Sequence, residues 1–93
     1  MKLKDYINQK MADPAFAEAY AALEPEFQIA QQVIALRLQQ GLTQEQLAQK
    51  VGTKPSRISR LESAVAPPSL SLVQKVASAL GAQVQIQLRS IKS

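Results

Sequence analysis

The stretch TQEQLAQKVGTKPSRISRLE, residues 43–62, decides the fold because it predicts two short helices joined by a tight turn. Thr43 and Gln46 have the spacing of a capping box, in which each side chain accepts a hydrogen bond from the other residue's backbone N–H. Gly52 is placed to end the first helix, since glycine readily adopts the positive φ of a helix C-terminus. Pro55 suits the first turn of the second helix, where its fixed φ is favourable and its missing N–H costs nothing.

Both helices of this stretch have one apolar side, which indicates that they pack against each other at a steep angle. The small side chain of Ala48 allows a close approach of the two backbones. The remaining packing residues are Leu47, Val51, Ile58 and Leu61. The opposite side of the second helix is therefore predicted to face solvent.

That outer side is polar and basic, which is typical of a helix that enters the major groove of DNA. Arginine can bind guanine bidentately there, and serine can bind several base edges. Lys54 and the amides of the helix that begins at Thr43 are candidates for phosphate contacts. The alternative is an ordinary solvated surface. The predicted DNA-facing residues of the second helix are Ser56, Arg57, Ser59 and Arg60.

Residues 37–62 follow the pattern R-x3-G-L-T-Q-x2-L-A-x3-G-x5-I-S-R-L-E and closely resemble the XRE/Cro-repressor family of helix-turn-helix regulators. The resemblance implies a mainly α fold, with a repressor-like five-helix DNA-binding domain over residues 25–81. It also implies that Gln44 reaches the DNA backbone and that Arg37 and Glu62 form an internal ion pair. Base-reading positions of the family match Ser56, Arg57 and Arg60.

Two positions depart from the family pattern. Pro55 stands where many relatives have a glutamine that reads bases. Because proline has no donor, it can offer DNA only an apolar contact, such as one to a thymine methyl group. Thr53 replaces the usual aliphatic residue of the turn, and we interpret it as the cap of the second helix.

The flanking segments predict an N-terminal helical extension over residues 1–24 and a C-terminal strand and tail over residues 82–93. Apolar residues recur at helical spacing within residues 2–11, and Asp13 followed by Pro14 predicts the start of a second helix. From residue 82 to residue 88, apolar residues alternate with glutamines, which predicts a β-strand with one apolar face.

A lone strand leaves its backbone edge unpaired, so we expect it to pair with the same strand of a second copy in a homodimer. The alternative is a tail folded onto the chain's own helices. The predicted dimer contacts are Val84, Ile86 and Leu88.

The extension DPAFAEAYAALEPEF, the motif and the alternating strand together are similar to HigA-type antitoxins. The resemblance implies a homodimer that represses its own operon on double-stranded operator DNA. It further implies a small basic toxin as partner, an mRNA-cleaving ribonuclease in the best-known class, held by the extension. Aromatic anchors with an acidic rim suit such a partner. The candidate toxin contacts are Phe16, Glu18 and Tyr20, although Phe16 and Tyr20 have the alternative of packing on the chain's own next helix.

The amino-acid composition limits the kinds of functional site that the chain can form. The 93 residues include no Cys and no His, which removes disulfides, thiol nucleophiles and the commonest general base. We therefore expect no catalytic residues, no metal and no cofactor, and a cytoplasmic location without a membrane span.

Residues 1–30 carry three Lys against five Asp and Glu, whereas residues 31–93 carry eight Lys and Arg against two Glu. This asymmetry suggests two partners of opposite charge. The competing interpretations are a repressor without a toxin partner and an adaptor that no longer binds DNA.

Overall fold

A computed structural model describes residues 12–15 and 24–91 of the chain. Between residues 24 and 91 it contains four helices: α1 (Pro25–Gln39), α2 (Gln44–Val51), α3 (Pro55–Ser63) and α4 (Leu70–Ala79). The predicted five-helix domain is thus corrected to four helices. The connections between these helices, residues 40–43, 52–54 and 64–69, are each too short to hold another helix within residues 25–81.

The start of α1 is set by proline. Pro25 occupies the first helical position after Glu24, and α1 ends at Gln39. Gln40 caps the helix and is followed by Gly41, which has a φ of 69°. Gln40 Nε2 donates to the carbonyl oxygen of Leu80 at 2.7 Å, so the C-terminal ends of α1 and α4 are tied together. Farther toward the N-terminus, Asp13 Oδ1 accepts from the backbone N–H of Ala15 at 3.0 Å, as a cap at this position would.

The turn between α2 and α3 forms as the local sequence predicts. Thr43 Oγ1 accepts from Gln46 N at 3.0 Å, and Gln46 Oε1 accepts from Thr43 N at 2.9 Å, which completes the capping box. Gly52 ends α2 with a φ of 82°. The prediction for Thr53 is wrong, because the residue that caps α3 is Lys54 and its side chain makes no capping hydrogen bond.

The core lies where the four helices meet. Leu47 of α2, Ile58 of α3 and Val76 of α4 are fully buried, and Val33 of α1 packs in the same cluster. Complete burial of side chains of this size stabilises a fold by about 1.5–3 kcal/mol each. Leu61 is 4% exposed, so both apolar positions of α3 point into this core and fix the rotation of the helix about its axis.

Residues 82–90 form no strand, which corrects the C-terminal β-strand prediction. A strand exists through hydrogen bonds to a neighbouring strand, and residues 24–91 supply none. Val84 packs partly against the core, whereas Ile86 is 63% exposed and Leu88 is 96% exposed. The alternation identifies the apolar face correctly, but the single chain leaves most of that face in solvent.

The end of α3 gives a test of backbone strain. Ala64 has a φ of 54°, in the left-handed region that costs an L-residue more than glycine. We expect Ala64→Gly to raise the free energy of unfolding by about 0.5–1 kcal/mol, the relief of strain being partly offset by unfolded-state entropy. Urea denaturation measures the change.

Gly52→Ala is the matched control, since a Cβ there would meet no atom within 4 Å and only the φ of 82° opposes it. We expect a loss of about 1 kcal/mol. A destabilised Ala64→Gly variant would contradict the strain argument.

Candidate nucleic-acid interface

The exposed side of α3 carries the residues that the sequence assigns to DNA. Pro55, Ser56, Arg57, Ser59 and Arg60 are all exposed, and so is Lys54 just before the helix. Because the two apolar residues of α3 are held in the core, this side cannot rotate inward. The fold therefore fixes the direction in which this polar side of α3 faces.

The cations on this face are available to a ligand. Within residues 12–15 and 24–91, Lys54, Arg57 and Arg60 form no ion pair. Residues three apart on a helix lie on neighbouring rows of one face, so Arg57 and Arg60 point in a common direction. Guanidinium groups so placed can bind phosphate oxygens or the major-groove edge of guanine.

A shallow groove borders the two arginines, and it was not predicted from the sequence. Its volume is about 200 Å³, and its far wall is formed by Val65, Pro67 and Pro68 of the loop between α3 and α4. Residues 63–74 contain no Lys, Arg, Asp or Glu, so this side of the interface is uncharged. The paired prolines were the available signal, since they hold a loop in an extended shape beside a helix end.

Behind the exposed face, Arg37 and Glu62 form the ion pair that the family resemblance implies. Arg37 Nε donates to Glu62 Oε2 at 2.7 Å and Nη2 donates to Oε1 at 2.9 Å, so the pair is bidentate. The two side chains are only 13% and 4% exposed. The hydrogen bond to Glu62 raises the pKa of Arg37 above its usual value, so the guanidinium stays charged. Removing one partner would leave the other charge partly buried and unpaired, at a cost of up to about 3–5 kcal/mol, so both residues are structural.

The remaining donors of Arg37 and Gln44 extend this pair into a network. Arg37 Nη1 donates to the carbonyl oxygen of Leu42, the residue before the capping box. Gln44 Nε2 donates to Glu62 Oε1 at 3.1 Å. The family resemblance implies that Gln44 reaches the DNA backbone, and the structure places its amide against Glu62. The Thr43 oxygen accepts a hydrogen bond in the capping box, and its O–H remains able to donate. This hydroxyl and the backbone N–H groups that open α2 are the candidate phosphate ligands at this helix end.

Other predicted site residues lie away from this face or outside the described residues. The proposed dimer residues Val84, Ile86 and Leu88 belong to the C-terminal segment, which forms a groove of about 450 Å³ with α1 and α4. Phe16, Glu18 and Tyr20, and the helix predicted over residues 2–11, fall outside the described residues. In the described ranges, no three Asp or Glu side chains gather into a metal-binding group, and no helix has the length and apolarity to cross a membrane.

Comparison with known proteins supports the helix-turn-helix pattern. A family model described as "Helix-turn-helix" matches residues 33–86, which is more than half of the chain. The match begins within α1, covers α2 to α4 and ends in the C-terminal segment. Searches of curated proteins and of solved structures gave no match.

Proposed function

The chain belongs to the XRE-type helix-turn-helix family of sequence-specific DNA-binding transcriptional regulators, and we propose from this premise that it is an antitoxin that represses its own operon. The observation that carries the DNA-binding part is the exposed face of α3. Arg57 and Arg60 stand there without ion-pair partners among the described residues, on a helix fixed by Ile58 and Leu61. A binding protein of this kind needs no catalytic residue, metal or cofactor, and it acts in the cytoplasm where its operon is transcribed.

In this proposal α3 enters the major groove of operator DNA. Arg57 and Arg60 bind base edges, Ser56 and Ser59 add permissive contacts, and Pro55 meets an apolar base group. Lys54 and the start of α2 hold phosphates on either side of the groove. Two copies bind half-sites about 34 Å apart, or a multiple of that distance.

The C-terminal segment supplies the proposed homodimer contact. Its apolar residues Ile86 and Leu88 are exposed to solvent, which burial in an interface would relieve. Its backbone has no neighbouring strand within residues 24–91. Pairing with the same segment of a second copy would satisfy both needs at once, since each chain gains a hydrogen-bonding edge and buries one apolar face.

The antitoxin part rests on the N-terminal extension. Its sequence places Phe16 and Tyr20 beside Glu18, and residues 1–30 are acidic while the rest of the chain is basic. Aromatic side chains are favoured anchors in protein interfaces, and acidic neighbours speed association with a basic partner. A repressor without a toxin partner would share every DNA-binding feature, so only the partner distinguishes the two functions.

Base reading is tested with substitutions on α3. We expect Arg57→Ala and Arg60→Ala each to weaken binding to a duplex selected from a randomised library by about 1–3 kcal/mol. Fluorescence anisotropy titration measures the affinities. Lys75→Ala is the control, because Lys75 is an exposed cation on α4 and should leave the affinity unchanged. Unchanged affinity in both arginine variants would remove α3 as the reading helix.

The partner is tested by copurification. The chain is tagged and coexpressed with the product of the neighbouring small open reading frame, and mass spectrometry weighs the eluate. We expect a stoichiometric small basic protein, which is lost when Phe16→Ala and Tyr20→Ala are combined while DNA binding is kept. Absence of any partner would leave a repressor without a toxin.

The dimer contact is tested by charge insertion. We expect Ile86→Lys to place a charge in the apolar face between two copies and to shift the protein to monomer in sedimentation velocity. Gln85→Lys is the control, since it adds the same charge at the adjacent exposed position on the opposite face. A dimer that survives Ile86→Lys would show that the C-terminal segment is not the interface.

A further inference from the structure

The carboxylate of Glu62 accepts a hydrogen bond from Gln44 in addition to the two from Arg37. Arg37 already binds both of its oxygens, at 2.7 and 2.9 Å. Gln44 Nε2 then donates to Oε1 at 3.1 Å, across 18 residues of sequence. This third hydrogen bond joins the first residue of α2 to the last turn of α3, and it holds a side chain at the edge of the proposed DNA interface.

The amide of Gln44 is suited to bind two acceptors at once. A glutamine side-chain nitrogen carries two hydrogens, and the contact with Glu62 uses one of them. A free glutamine on a protein surface loses rotamer entropy when it binds, whereas a side chain that is already held loses less. The hydrogen bond to Glu62 thus prepares Gln44 to bind an additional acceptor.

We propose that Glu62 is a positioning residue for DNA binding, because it holds the Gln44 amide so that its second N–H meets a phosphate oxygen of the backbone. The inference rests on the proposed DNA-binding function and assigns Glu62 a role beyond its ion pair. Arg37 is essential to this arrangement, since a lone carboxylate so near the interface would repel phosphates. The bidentate pair offsets that charge.

The test compares Gln44→Met in two backgrounds. One is the natural chain, and the other carries Arg37→Met together with Glu62→Met. Replacing both members of a buried pair by apolar residues of similar volume commonly preserves a fold, so this background keeps the test usable if single Glu62 variants unfold. Thermal melts choose a temperature at which every variant is folded. The probe is a labelled random-sequence duplex of about 30 base pairs, three helical turns, because phosphate contacts are independent of sequence.

We expect Gln44→Met to weaken duplex binding about fivefold in the natural chain, the range of one hydrogen bond. The paired Met background should lose a similar factor, and Gln44→Met should cause no further loss in it. The slope of log affinity against log salt should stay unchanged, since Gln44 carries no charge. A purely structural role of Glu62 would shift α3 and alter that slope. Gln49→Met, at an exposed position of α2, is the matched control.

Two results would overturn the inference and leave the proposed DNA-binding function standing. One is the same loss from Gln44→Met in both backgrounds, which would show that Gln44 acts without Glu62. The other is no loss in the natural chain, which would show that Gln44 does not contact DNA. Failure of the natural chain to bind any duplex would instead overturn the proposed function, and the inference with it.

Discussion

The bidentate pair between Arg37 and Glu62 is the interaction that links α1, α3 and the loop before α2. Arg37 lies near the end of α1 and Glu62 near the end of α3, so the pair fastens two helices that the chain itself does not place side by side. The third donor of Arg37 holds Leu42, and through it the loop that begins α2. One guanidinium thereby fixes three elements, while the apolar core supplies the bulk of the stabilisation.

The core supplies stability and the ion pair supplies direction, and together they let a chain with a small core hold its surface in one orientation. Hydrophobic contacts are non-directional, and they would allow α3 to rotate or slide by small amounts. Ion pairs with two parallel hydrogen bonds are directional, and this one is partly buried. The core residues Ile58 and Leu61 select which side of α3 faces inward, and the ion pair sets where its C-terminal end lies.

Local sequence signals predicted the motif because each depends on neighbours in the chain. The capping box, the positive φ of Gly52 and the proline at the start of α3 are decided within a few residues. The direction of the Gln44 side chain could not be predicted in this way, because its acceptor lies 18 residues away on another helix. Residues 82–88 show the complementary difficulty, since alternation identifies an apolar face but not whether a second strand is present to pair with it. The ion pair itself came from family resemblance rather than from the residues alone.

The two sides of α3 have different roles, and this affects how the DNA sequence preference of such a regulator can change in evolution. Ile58 and Leu61 pack in the core and Glu62 holds the ion pair, whereas the hydrophilic positions between them are exposed. Exposed substitutions away from structural contacts change stability by less than about 0.5 kcal/mol. In the proposed binding mode, operator preference can therefore be rewritten at Ser56, Arg57, Ser59 and Arg60 while folding is left intact. Duplicated copies of such a gene could then acquire new regulatory targets without passing through an unstable intermediate.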